Sequence, residues 1–378
     1  MEKVEIYLLE ETMGRIPTSW GLSQLANFNY SNVMKSLYLC DFPNAWKEEE
    51  LKKKICTIGA NDYFNKWTSE EFMVIEDSIL NEILSLANEE LVKGSIVNGK
   101  RTGIPLSGGN HQLLFYNKKL VDQVPETMQD LIDIAESTKK KKKLDYGFVF
   151  PTGACYFILP FLYGFGANLW SNDLTPIAAD PLNKTICFLR ELIYERKIAP
   201  VKWEQAESIE CFIKGKAAYC IGGDWNIKEF DMATDSNLGI CKIPRLEREC
   251  RSTANASYLF VSKYIKEELL NNIKEICKIF LGQNVQSSII KSLYRMPAAR
   301  NFVIDKNNFD EKLLNSYEVY KQAFIMPPKK DVTHMYHVLA DLLEPNVLIR
   351  DTPDILTDKV ILHLNDVESY YKNNLLKM

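Results

Sequence analysis

Residues 103–119, GIPLSGGNHQLLFYNKK, constrain the fold more than any other stretch of the chain. Gly103–Leu106 is short and mostly apolar, and Leu113-Leu114-Phe115-Tyr116 is an apolar run of strand length. Between them, Ser107-Gly108-Gly109 has no side chain bulkier than a hydroxymethyl, so its backbone can take dihedrals closed to other residues. Asn117-Lys118-Lys119 then turns away from the second run. Two layouts satisfy this pattern. In one, the chain leaves one lobe through a glycine break and enters another. In the other, the two strands form a bulged hairpin inside a single sheet.

The surrounding sequence supplies alternating elements. Val4–Leu9, Ser36–Cys40 and Ile55–Ile58 read as strands, with helical patterns at 19–34 and 46–54 between them. Strand and helix in alternation imply a parallel sheet. Loops after such strands lie at the edge where open α/β sheets collect ligands, which makes Gly59–Tyr63 a candidate by position. Further on, helices are expected at 127–137, 181–197, 204–214, 266–281, 309–322, 332–343 and 355–374. Strands are expected at 146–150, 216–221, 238–243 and 257–261. The five consecutive lysines at 139–143 read as a solvated surface loop.

Composition excludes several classes. The chain has 378 residues, enough for two ordinary domains, and 46% of them are hydrophobic, which is globular composition. A net charge of −4 lacks the basic excess of a nucleic-acid binder. The longest uncharged stretch, 146–172, is broken by Pro151, Pro160, Gly164 and Gly166 and reads as core rather than membrane span. The 9 cysteines are scattered and include no C-x-x-C, so free thiols are expected rather than a disulfide framework or a zinc site. His334 and His337 lie three apart on a helical stretch with no third ligand beside them, so no metal and no cofactor are expected. No leader peptide is legible before Val4. A cytoplasmic location is therefore expected, or an extracellular one if a leader has been trimmed away.

Several segments, in this order, resemble the extracellular solute-binding proteins of ABC transporters, in the maltose-binding-protein-like branch (sugar-binding family 1). They are ANDYF at 60–64, GIPL with LLFYNKKL at 103–120, and YGFVFPTGACYFILPFLYGFGANLW at 146–170. FIKGKAAYCIGGDW at 212–225, MPAAR at 296–300 and IMP at 325–327 follow. The resemblance implies a type II periplasmic-binding-protein-like α/β fold, with two lobes, a ligand cleft between them and hinge crossovers at 107–109, 253–257 and 326–327. It places residues 1–107 with 257–325 in one lobe and 108–256 with 326–378 in the other. It also implies a receptor that closes on a polar solute such as a sugar, acts as a monomer and, if exported, meets the transporter's membrane subunits.

Candidate ligand-binding residues follow. Tyr156 matches the family's aromatic stacking position, and Trp225 follows Gly222-Gly223-Asp224 at a strand-to-helix turn where a ring can stack on a sugar face. Asp62 offers carboxylate acceptors. Tyr63, Asn110, Trp203 and Tyr336 complete the set. Asp224 reads as a helix N-cap, and the helices beginning near Tyr156 and Trp225 would turn backbone N–H groups toward a ligand. The departures are Gly59 and Tyr63, where the branch usually carries Trp and Arg, and Gly109-Asn110, where an acidic residue often stands. Maltodextrin specificity does not follow from the resemblance. An alternative is a cytoplasmic enzyme on the same fold, resembling thiaminase I. Its cleft cysteine has no counterpart in Leu106–His111, which leaves Cys155 as the thiol to examine.

Overall fold

The computed structural model describes residues 4–9, 34–40, 55–60 and 72–366, with 98, 170–176, 328–329 and 343 set aside. The chain divides into two compact units. The first comprises residues 1–110, 254–313 and 325–329, and the second 111–253, 314–324 and 330–378.

The first unit is built on a mixed sheet. Strands β1 (Val4–Leu9), β2 (Met34–Cys40) and β3 (Ile55–Ala60) run parallel, with β1 in the middle. A two-stranded hairpin follows, β4 (Ile96–Val97) and β5 (Lys100–Arg101), turning at Gly99 with φ +77°. Strand β6 (Gly103–Gly109) then pairs antiparallel with the long strand β11 (Thr253–Val261), whose other edge pairs with β3. The helix Glu267–Phe280 buries Leu269, Leu270, Ile273, Ile276, Cys277 and Phe280, the spacing of a single apolar helix face.

Strand β6 corrects the expected glycine break. Ser107, Gly108 and Gly109 remain in the strand, because Asn255, Ala256 and Ser257 of β11 pair with them and satisfy their backbone groups. The break comes at Gly109 (φ +129°) and Asn110 (φ +50°). The glycine freedom is thus used at one residue, and an asparagine, which tolerates the left-handed region, follows it.

The second unit holds a four-stranded sheet in the order β10-β7-β9-β8. Its strands are β7 (Gln112–Asn117), β8 (Tyr146–Val149), β9 (Ala217–Gly223) and β10 (Leu238–Cys241). Strands β8 and β9 are parallel, and β7 is antiparallel to β9 and β10. Because β6 and β7 belong to different sheets, the hairpin-in-one-sheet layout is ruled out. The last strand, β12 (Phe324–Ile325), lies along β11. The core of this unit is aromatic: Phe148, Phe150, Phe157, Phe161 and Tyr219 are almost wholly buried. Each such ring contributes on the order of 2–3 kcal/mol by leaving water.

The lysine run also differs from expectation. The helix Met128–Lys142 takes in Lys139–Lys142, and Lys143 closes it at φ +54°. Lysine is a good helix former, and cations at a helix C-terminus face the negative end of its dipole. The other end has a full capping box: Thr127 Oγ1 accepts from Asp130 N at 3.1 Å, and the Asp130 carboxylate accepts from Thr127 N at 2.8 Å. Among the described residues, no helix is long and apolar enough to cross a membrane.

Candidate functional site

Strands β8 and β9 are parallel, so their C-terminal ends share one edge of the second unit's sheet. Strand β7 runs the other way and begins at that edge, with Gln112 opposite Gly223. Two short 3-10 turns leave the edge: Cys155–Phe157 after β8 and Asp224–Asn226 after β9. They carry Tyr156 and Trp225, whose ring centroids are 6.4 Å apart at an interplanar angle of 35°. Phe157 stands edge-on to both rings, at 5.3 Å from Tyr156 and 6.5 Å from Trp225. Tyr156 and Trp225 are both half-buried.

Local sequence sets these positions. The Trp225 ring lies on Gly223, where an added Cβ would meet the indole at 2.2 Å, so only glycine fits beneath it. Asn226, almost fully buried, accepts from Gly223 N at 3.1 Å and fixes the turn. The indole Nε1–H is buried and has no acceptor among the described residues, an uncommon state for a buried donor. The Tyr156 hydroxyl donates to Thr253 O at 2.9 Å. Gln112 is fully buried; its Nε2 donates to Tyr156 O at 2.8 Å and its Oε1 accepts from Thr253 N at 2.7 Å.

Behind the rings lies a buried polar cluster. His111 Nδ1 is 3.5 Å from Asp224 Oδ2, and both side chains are fully inaccessible. His111 Nε2 is 3.1 Å from Ser316 Oγ and 3.0 Å from Ser316 O, and the imidazole packs against Tyr320 at 5.4 Å. Asp224 N donates to His111 O at 3.1 Å. Asp224 is therefore not the N-cap the sequence suggests. It sits inside the turn, with Gly223 at the cap position, and is held against a histidine from β7's edge. The N–H groups of Gly153, Ala154, Gly223 and Asp224 are all engaged within the chain.

The other candidates are dispersed. Trp203 is tied by its backbone to Thr152 and Gly153, and its ring packs edge-on to Tyr146 at 4.8 Å, at the opposite end of β8. Tyr336, half-buried, lies on the helix Lys330–Leu342, which packs against the Cys155–Phe157 turn. Asn110 belongs to the first unit and accepts from Arg295, an almost wholly buried residue just before the MPAAR turn. Asp62 and Tyr63 lie outside the described residues. Phe157, Gln112, His111 and Ser316 were not selected from sequence. Strand β7 is buried throughout, so the one sequence signal for Gln112 and His111 is a pair of polar residues at the head of an apolar strand, which is weak.

Cys155 is buried, and burial pushes its thiol up to about 12. A nucleophilic cysteine needs thiolate near neutral pH, and burial works against that at Cys155. Among the described residues, seven cysteines are free and no cluster of three or more His, Cys, Asp or Glu could hold a metal.

Comparison with known proteins gives this geometry its setting. The family described as bacterial extracellular solute-binding protein matches residues 54–267, more than half of the chain. A galactooligosaccharide-binding protein of Bacillus subtilis is 24% identical over 250 residues, covering 62% of this chain and 58% of that protein. The maltodextrin-binding protein MdxE of the same organism is 28% identical over 186 residues, 45% of this chain and 44% of that protein. The chain thus matches about half the length of these curated relatives. Among solved structures, the maltose/maltodextrin-binding domain of Bdellovibrio bacteriovorus, bound to maltotriose, superposes with a TM-score of 0.78 at 18% identity, covering 97% of this chain and 99% of that one. The GacH receptor of Streptomyces glaucescens does so with a TM-score of 0.80 at 16% identity and 98% of each chain. The fold is the type II periplasmic-binding-protein α/β fold, and the chain belongs to the bacterial extracellular solute-binding protein family.

Proposed function

We propose that the chain is a receptor for a neutral polar solute of the sugar or short-oligosaccharide class, held against the Tyr156–Trp225 rings and passed to the membrane subunits of an ABC transporter outside the cytoplasm. The observation that carries this reading is the ring pair on a glycine floor at the shared C-terminal edge of β8 and β9, with an indole N–H that has no acceptor among the described residues. Sugar rings present apolar C–H faces to aromatic planes and hydroxyl oxygens to such donors.

Charge supports neutrality of the ligand. Among the described residues, the carboxylate nearest in sequence to the Trp225 ring, Asp224, is buried against His111 in the interior. The curated relatives, a galactooligosaccharide-binding and a maltodextrin-binding protein, support the same substrate class. Isothermal titration with maltotriose, raffinose, an amino-acid mixture and thiamin tests it. Saturable heat with at least one oligosaccharide and none with the other two is expected. Heat from an amino acid or thiamin alone would contradict the proposal.

A further inference from the structure

We propose that Gln112 is the positioning residue of the ring site: its side-chain amide holds Tyr156 in the orientation that solute binding requires. The inference rests on the solute-binding reading above and deepens it.

The 3-10 turn of Tyr156 is three residues long, too short to fix a ring by its own hydrogen bonds. Its place is set from outside, by a closed circuit. Gln112 Nε2 donates to Tyr156 O, the Tyr156 hydroxyl donates to Thr253 O, and Thr253 N donates back to Gln112 Oε1. The Ser252 hydroxyl adds a fourth bond, to Gln112 O at 2.7 Å. Gln112 and Thr253 stand beside two passages of the chain between the units, at 110–111 and 253–254. Pairing of Gln112 with Gly223 puts the same residue next to the floor of Trp225.

The amide matches this setting at both ends. One end must donate, to a carbonyl, and the other must accept, from an N–H. A flipped amide would oppose oxygen to oxygen and N–H to N–H, so the two neighbours assign its orientation. An apolar side chain of the same size would leave a carbonyl and an N–H unmet in a fully buried place. The circuit also fixes what Tyr156 offers a ligand. Its hydroxyl proton goes to Thr253 O, so the residue contributes its ring face and not a hydroxyl donor.

The test replaces the donor end alone. Gln112→Glu keeps size and the acceptor but sets an oxygen against Tyr156 O. The protonated acid donates there and restores the circuit; the carboxylate repels. Maltotriose affinity is measured by isothermal titration between pH 5 and pH 8 for wild type and Gln112→Glu, with stoichiometry reporting the folded fraction. The ratio of Kd values, variant over wild type, is expected to stay within about threefold at pH 5 and to exceed tenfold at pH 8. Tyr156→Phe, which keeps the ring and removes only the hydroxyl, is expected to weaken binding severalfold at every pH. A Gln112→Glu ratio that does not change with pH, alongside normal binding by Tyr156→Phe, overturns the proposal. Near-UV circular dichroism separates this from the fate of the sugar reading. If wild type binds no oligosaccharide, that reading fails. A pH-dependent ring signal in Gln112→Glu that disappears on a Trp225→Phe background would still support Gln112 as the positioning residue, and its absence would reject it.

Discussion

Trp225 and Gly223 act as one unit at the residue scale. The indole plane covers the glycine so closely that any β-carbon collides with it. Gly223→Ala should therefore displace the ring and weaken solute binding nearly as much as Trp225→Ala. Loss of a stacking ring is worth about 1.5–3 kcal/mol, roughly tenfold or more in Kd. Equal affinity of Gly223→Ala and wild type would show that the ring is not placed for binding. Cysteine chemistry gives a second residue-scale prediction. Burial raises the Cys155 thiol to about 12, and Cys241 and Cys250 likewise to about 12, whereas Cys187 is exposed. A raised thiol pKa keeps the group neutral below that value, so at pH 8 roughly one Cys155 in ten thousand is thiolate. Brief alkylation of the native protein at pH 8, read by peptide mass spectrometry, should modify Cys187 and leave Cys155 intact. Rapid modification of Cys155 would favour the enzymatic alternative.

Elements show which parts of the molecule local sequence can dictate. Apolar periodicity places the helices near 128–142 and 267–280 and the strands β7, β9 and β11, because each buries one face or both. Local rules fail where a distant partner decides. The Ser107-Gly108-Gly109 segment looks like a break but is strand, because β11, about 150 residues later in the chain, pairs with it. Asp224 looks like a cap but faces His111, which follows from the β7–β9 register and not from its neighbours. Trp203 looks like a site ring but packs on Tyr146. That Tyr156 and Trp225 stand at one sheet edge is legible because each follows a predicted strand, whereas the Gln112 circuit that joins three distant segments is not. At this scale the end of the helix Met128–Lys142 carries a testable cost. Lys143 holds a left-handed conformation that favours glycine. Lys143→Gly should raise unfolding free energy by about 0.5–1 kcal/mol in urea titration, and a destabilised variant would mean that the lysine side chain has a structural partner.

On the scale of the whole molecule, family and fold are established, and ligand class is the step that remains to be tested. A receptor gains stability from its solute by mass action, about 2.7 kcal/mol at one hundred times Kd. The melting temperature should accordingly rise with oligosaccharide concentration and not with thiamin. The most direct measurement is a paired isothermal titration of maltotriose and raffinose into wild type and Trp225→Ala, with the folded fraction of each taken from its melting curve. The account predicts saturable binding of at least one of these sugars to wild type and a Kd at least tenfold weaker for folded Trp225→Ala. Absence of heat with either sugar, or equal Kd values for the two proteins, would contradict it.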